Sequence, residues 1–332
     1  MNIGVPKELK DCEGRVGLVP SGVRQLTDLG HTVYIQRDAG LLSNISNQEY
    51  TTAGAVIVNT IQDVYYFGHL IVKVKEPIEQ EYNLLQSHHY LFCFLHLASN
   101  PTLVDVLTQK NVTYYAYESV HDSTNQLPIL KPMSEIAGRI SAQKAAEFLQ
   151  LNSHVASKGK LIGGTFDTAP ATVLVLGAGV VGTNAAKVAA GMGANVLLMD
   201  IDTVKIQNIQ GVLPWNVITE ICNIDTIKKV LPRIDAVIGS VYIRNSKTPH
   251  LITKDMLDLM SPRSVLVDVA IDQGGCFETS RLTTHTNPVF VKQNIIHYCV
   301  PNIPGIVPYT STLALTNATL PYIKMLAEKK SI

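Results

Sequence analysis

The stretch TVLVLGAGVVGTNAAKVAAGMGANVLLMD, residues 172–200, constrains this chain more than any other. An apolar run leads into Gly177, with further glycines at 179 and 182. An alanine-rich segment follows, and a second apolar run ends in Asp200. Gly-x-Gly-x-x-Gly by itself matches many chains by chance. Set between a strand and a helix, with an acidic residue about twenty positions on, it is the dinucleotide fingerprint of a βαβ unit. Gly177 permits the tight turn, Gly179 lets a pyrophosphate approach the backbone, and Gly182 lets the helix pack on the strand. Free N–H groups and the helix dipole then face the diphosphate. Asp200 can accept hydrogen bonds from ribose hydroxyls, and its charge repels a 2′-phosphate, which favours NAD over NADP. A βαβ turn with no ligand is the alternative reading of the same glycines.

The 332 residues leave room for two domains. Apolar residues make up 46% and charged residues 16%, which supplies large cores and excludes a disordered chain. The 27 basic residues balance the 27 acidic ones without forming a basic stripe, so neither nucleic acid nor an anionic membrane is the expected partner. Cysteines 12, 93, 222, 276 and 299 are scattered and form no Cys-x-x-Cys pair; no metal is expected. The N-terminus lacks an apolar signal-peptide core, and no stretch approaches the ~20 apolar residues of a membrane span. These features lead us to expect a soluble cytoplasmic protein that handles small molecules.

Short β-branched runs at 32–35, 55–58, 70–74, 90–94 and 112–116 read as strands. Residues 21–30, 47–54 and 100–110 read as helices, the first opened by Pro20 or Ser21 and closed by Gly30. Such alternation favours a parallel sheet covered on both faces. Residues 132–150 form a long helical pattern with Pro132 at its head. The glycine-rich connector SKGKLIGGTFDTAPA, 157–171, then marks a hinge or boundary. A second alternating series runs from Thr172 to about Tyr298. Residues 310–330 read as helix, with Pro321 expected to kink or restart it.

Four ionisable residues stand out. Arg15 lies in a polar loop, Lys75 and His96 follow apolar strands, and Asp272 ends the apolar SVLVDVAI run ahead of Gly274 and Gly275. Ligands of open α/β sheets collect at the carboxyl ends of strands. Each residue also has a plainer reading: a solvated arginine, a solvent-facing lysine with Lys73 as a competitor, a structural histidine, and a capping or turn aspartate. Together they suit a 2-oxo or 2-amino acid. A guanidinium pairs with a carboxylate, an ammonium polarises a carbonyl, an imidazole exchanges a proton, and a carboxylate orients an amine or water.

The stretches GVPKE, EGRVGLVPSGV, VKVKEP, FLHLA, LKPMSEIAGR, LGAGVVGTNAA, VDVAIDQGGCFETSR, HYCVPNIPG and TSTLALTNATLPYI span nearly the whole chain. In this order they resemble the alanine dehydrogenase/transhydrogenase family, and within it the alanine dehydrogenases. The resemblance implies an α/β fold of two doubly wound domains, a Rossmann NAD-binding domain (132–303) inserted into a discontinuous substrate domain (1–131 and 304–332). It implies reversible oxidative deamination of L-alanine to pyruvate and ammonia, usually by a homo-oligomer, often a hexamer. Arg15 and Lys75 would bind substrate, His96 would be the general acid/base, and Asp272 would position ammonia or water. Ser134, Gly177, Gly179, Val180, Val181, Gly182, Asp200, Lys205, Val241 and Asn302 would bind the cofactor. The chain departs from the family pattern at Arg244 and Asn245, at Tyr309 and at Leu282, and it ends at Ile332, some tens of residues before a typical member. Two other readings are an NAD-binding transhydrogenase-like module and an NAD-binding protein impaired in catalysis.

Overall fold

The computed structural model describes residues 1–97, 100–241, 243 and 248–329. The substituted pair Arg244 and Asn245 lies outside the described residues. The chain divides into two compact units, Met1–Met133 with Pro304–Ile332, and Ser134–Ile303.

The first unit runs β1 (Asn2–Val5), α1 (Pro20–Asp28), β2 (Thr32–Gln36), α2 (Asn47–Thr52), β3 (Val56–Val58), α3 (Ile61–Phe67), β4 (Leu70–Val72), α4 (Glu79–Tyr82), β5 (Tyr90–Cys93), α5 (Pro101–Gln109) and β6 (Thr113–Ala116). Capping boxes fix two of the short helices, Ser46 with Glu49 at α2 and Thr60 with Asp63 at α3. The strands form one parallel sheet in the order β3-β2-β1-β4-β5-β6. β1 has no counterpart among the strands expected from sequence. NIGV is short and carries a glycine, yet β1 is central and three of its four residues are buried. Its Gly4 permits contact with α3, since a Cβ there would lie 2.8 Å from the Val64 carbonyl oxygen.

α6 (Leu130–Leu149) contains the boundary between the units, with Pro132 in its first turn, where no main-chain N–H is needed. The second unit continues as β7 (Thr172–Leu176), α7 (Val180–Gly191), β8 (Asn195–Asp200), α8 (Thr203–Gln210), β9 (Val217–Ile221), α9 (Ile224–Val230), β10 (Ala236–Gly239), β11 (Val265–Asp268), β12 (Val289–Lys292) and β13 (Ile295–Tyr298). Its sheet has the order β12-β13-β11-β10-β7-β8-β9, parallel except for β12 against β13. The connector expected as a hinge or boundary lies inside this unit and is clamped. Lys158 and Lys160 both pair with the Asp235 carboxylate, at 2.8 and 2.7 Å, and the Thr172 amide donates to the same group.

α10 (Pro308–Ala327) returns to the first unit. The Val16 amide donates to Thr312 Oγ1 at 3.1 Å, and Ser43 Oγ lies 2.7 Å from the same hydroxyl. The helix runs on through Pro321 without restarting there. The proline ring removes one rung from a twenty-residue ladder, while buried Leu315, Thr319, Ile323 and Leu326 hold the helix on either side of it.

Candidate functional site

In the second unit the glycine loop joins β7 to α7 and behaves as its spacing predicts. Gly177 has φ +100°, a left-handed conformation that a side chain would strain. A Cβ on Gly182 would lie 1.8 Å from the Gly177 carbonyl oxygen and 2.6 Å from Ser240 Oγ, so α7 and β7 meet there without space for a methyl. A Cβ on Gly179 would meet nothing within 4 Å. The middle glycine therefore borders open space at the first turn of α7, as a site for a diphosphate requires. Val180 is exposed and Val181 half-buried in that turn, and Ser134 is half-buried on α6.

Asp200 ends β8 and is 8% exposed. It accepts hydrogen bonds from the amides of Ala178 (2.7 Å) and Asp202 (3.0 Å) and from Lys205 Nζ (3.1 Å). Burial pushes the carboxyl up, but these donors outweigh it and hold the pKa below the ordinary value. The carboxylate is thus tied to the glycine loop and ionised, with lone-pair capacity left for a hydroxyl. Chain order reverses between β7 and β10, the crevice where open α/β sheets bind ligands. Ser240, absent from the sequence-based set, follows β10 and donates to the Leu176 and Gly177 carbonyls at 2.8 and 3.1 Å, bracing the loop. Next to it, half-buried Val241 packs against the core of this unit. Asn302 follows β13 with φ +55°. These residues fit a dinucleotide.

Asp272 requires a correction. The strand does not run to it: β11 stops at Asp268, and Asp272 belongs to a single 3₁₀ turn, Ile271–Gln273. The buried carboxylate at the strand tip is Asp268, which accepts from the Cys276 amide (2.9 Å), the Ala270 amide (3.2 Å) and Ser280 Oγ (2.5 Å). Burial raises its pKa against the pull of these donors. Both glycines serve this anchor. Gly274 ends the 3₁₀ turn at φ +98°, and a Cβ on Gly275 (φ +82°) would lie 2.6 Å from Asp268 Oδ2. Asp272 is left exposed on the anchored turn, and its carboxylate makes no hydrogen bond or ion pair among the described residues. It caps nothing there.

In the first unit, Arg15, Lys75 and His96 all lie beyond the carboxyl ends of central strands, β1, β4 and β5. Chain order reverses between β1 and β4 as well. Arg15 is not a solvated loop residue. It is 2% exposed, and its Nε donates to Glu13 Oε1 at 2.7 Å while Nη2 pairs with Glu13 Oε2; Nη1 lies 3.3 Å from Met133 Sδ. Lys73 does not compete with Lys75. It is buried between Glu8 (3.4 Å) and Glu81 (2.9 Å), and Glu81 also accepts from Tyr65 Oη. Burial alone would lower the Lys73 pKa; the two carboxylates reverse that and keep it cationic. Two carboxylates share one cation, and burial pushes Glu8 up.

Lys75 is half-buried, three residues past β4, and Glu8 holds its segment by accepting from the amides of Val74 (2.7 Å) and Lys75 (3.3 Å). His96 is exposed, three residues past β5, with φ +49° and its ring stacked on Phe94 at 5.9 Å. Sequence reasoning missed Glu8 and Glu13 because nothing in a single sequence marks a glutamate as the partner of a loop; Glu13 lay only two residues from Arg15.

Residues 4–137 match the N-terminal domain, and residues 141–332 the C-terminal domain, of the family described as Alanine dehydrogenase/PNT. The chain belongs to this family. It is 46% identical over 330 residues to an alanine dehydrogenase of Methanococcus maripaludis, covering 99% of this chain and 88% of that one. A solved L-alanine dehydrogenase superposes with a TM-score of 0.95 at 42% identity, covering 99% of this chain and 90% of that one. A transhydrogenase from Sinorhizobium meliloti, at 23% identity and a TM-score of 0.85 over 99% of this chain and 95% of that one, shares the fold. The family match thus extends over both units. Among the described residues no cluster of three or more His, Cys, Asp or Glu is arranged to hold a metal, and no helix is long and apolar enough to cross a membrane.

Proposed function

We propose that this chain is an NAD-dependent L-alanine dehydrogenase, catalysing L-alanine + H2O + NAD⁺ ⇌ pyruvate + ammonium + NADH + H⁺. Its identity with alanine dehydrogenases across 99% of its length carries the reading. NAD would be held by the glycine loop with Val180 and Val181, by Asp200 and Lys205, and by Ser134, Val241 and Asn302. When bound, NAD supplies the hydride acceptor at nicotinamide C4.

The remaining roles fall to this chain's own side chains. Arg15 binds the substrate carboxylate, and burial against Glu13 sets the guanidinium plane before substrate arrives. Lys75 polarises the oxygen that becomes the pyruvate carbonyl. Once the substrate ammonium has given up a proton, loss of hydride from the alanine α-carbon leaves an iminium ion. Asp272 holds the water that adds to it, or ammonia in the reverse direction. His96 takes a proton from that water and returns one to the departing nitrogen as the carbinolamine collapses.

The unit Ser134–Ile303 would be the cofactor domain and the remainder the substrate domain, a division supported by the compactness of each unit. We extend the proposal to a cytoplasmic homo-oligomer, which sedimentation velocity tests. Initial rates with L-alanine, glycine, serine and 2-aminobutyrate, each with NAD and NADP, test the activity; NAD binding without L-alanine-dependent NADH formation would refute it. His96→Ala should lower kcat at least ~100-fold while the Kd for NAD stays unchanged. Near-parental turnover would remove His96 from the chemistry.

A further inference from the structure

Beyond their last ladder rungs, parallel strands splay, and the amides just past a strand end lose their neighbour. At β5 that gap is filled by a side chain from the adjacent strand's continuation. Glu118 stands two residues past β6, and its carboxylate accepts from the Leu95 amide (3.2 Å to each oxygen) and from the His96 amide (2.6 Å). His96 needs such a hold, because φ +49° is a conformation that a non-glycine residue leaves unless its surroundings fix it. The preceding residues are secured separately: the Phe94 amide donates to the Val74 carbonyl at 3.1 Å, and Leu95 is fully buried. At His96 itself, the bond from its amide to Glu118 is charge-assisted, stronger than a neutral amide–carbonyl pair.

We infer that Glu118 is the positioning residue for His96, fixing the backbone from which the imidazole is presented and adding a negative charge beside it. The inference rests on the role given to His96 above. Glu118 touches neither substrate nor cofactor in this account; it acts through the main chain. Its charge adds to an existing field. Burial pushes Glu76 up, but its bond to Lys10 outweighs this and holds its pKa below the ordinary value, with nearby His96 a lesser contributor.

Two variants separate geometry from charge. Glu118→Ala removes both, and should lower kcat roughly 10- to 100-fold with the NAD Kd unchanged. Glu118→Gln keeps an acceptor for the His96 amide and should recover most of that loss. Without the carboxylate, however, the imidazolium loses stabilisation, and the acid limb of the kcat/KM profile should move to lower pH. Hydrogen exchange of the Leu95 and His96 amides, read by NMR, tests the hold independently of turnover. It should accelerate at least tenfold in Glu118→Ala and much less in Glu118→Gln. Unchanged exchange in Glu118→Ala, parental kcat in that variant, or an unmoved acid limb in Glu118→Gln would each overturn the inference. Absence of alanine turnover in the parent chain would sink the functional reading instead, while the exchange arm still decides whether Glu118 holds His96.

Discussion

Gly179 and Gly182 stand three residues apart, and an added methyl would act on them for opposite reasons. At Gly182 the methyl collides with the Gly177 carbonyl and Ser240, so Gly182→Ala should lose at least ~2 kcal/mol of stability in urea unfolding, and NAD binding with it. At Gly179 it meets no protein atom, so Gly179→Ala should unfold within about 0.5 kcal/mol of the parent yet bind NAD at least tenfold more weakly by calorimetry. Equal losses of stability would contradict the packing described here. Both glycines were legible in the sequence because the βαβ context dictates their roles. Asp268 was not. Two aspartates four residues apart, Asp268 and Asp272, border the same apolar run, and periodicity alone does not reveal which one the strand buries. The outcome rests on Gly275, whose missing side chain makes room for the Asp268 carboxylate.

Long elements were legible, and the shortest were obscure. The five first-unit strands read from sequence all appear, four of them trimmed at an end and β2 one residue longer. β1 and α3 escaped notice, one because it is four residues long, the other because seven residues do not establish a helical period. Pro321 does not restart its helix, because buried side chains hold the helix on both sides of the proline. Contacts between elements were the least visible. Lys73 on the β4 continuation meets Glu8 from beyond β1 and Glu81 from α4, partners 65 and 8 residues away in the chain. Lys73→Met should cost about 3–5 kcal/mol, because it strands buried carboxylates without their cation. In that variant a carboxylate takes a proton more readily in the folded chain than in the unfolded one. Its deficit against the parent should therefore be smaller at about pH 5 than at about pH 8. A deficit independent of pH would mean that packing, not charge, is what Lys73 supplies.

At the scale of the molecule, each unit carries a buried neutral histidine. Burial lowers His89 to about 4, with the charges of His88 and His69 adding to it and a bond to the Tyr65 carbonyl opposing. Burial likewise lowers His297 to about 4, against its bond to the Ile295 carbonyl. Both folded values lie below the unfolded 6.5, so the unfolded chain binds more protons across that window. The stability they contribute is whole above about pH 6.5 and drains away as pH falls toward 4. The urea midpoint should therefore fall between about pH 7 and pH 4.5, and more gently in the double variant His89→Gln, His297→Gln; an unaltered slope would acquit both residues. The doubly wound plan of both units was legible from strand–helix alternation. The clamping of the 157–171 connector was not, because it depends on Lys158, Lys160 and Asp235 meeting across more than seventy residues.

α10 belongs to the first unit yet is synthesised only after the whole of the second. The Val16 amide waits for a hydroxyl 296 residues downstream, and Ser43 for the same group, 269 residues on. On the ribosome, about 170 residues of the second unit emerge before those partners exist. At roughly 5–20 residues per second the delay is on the order of 10–30 s, long enough for the later-encoded unit to finish first. The amino-terminal sheet must spend that interval without its closing helix, which makes it the stretch of the nascent chain with most need of a chaperone.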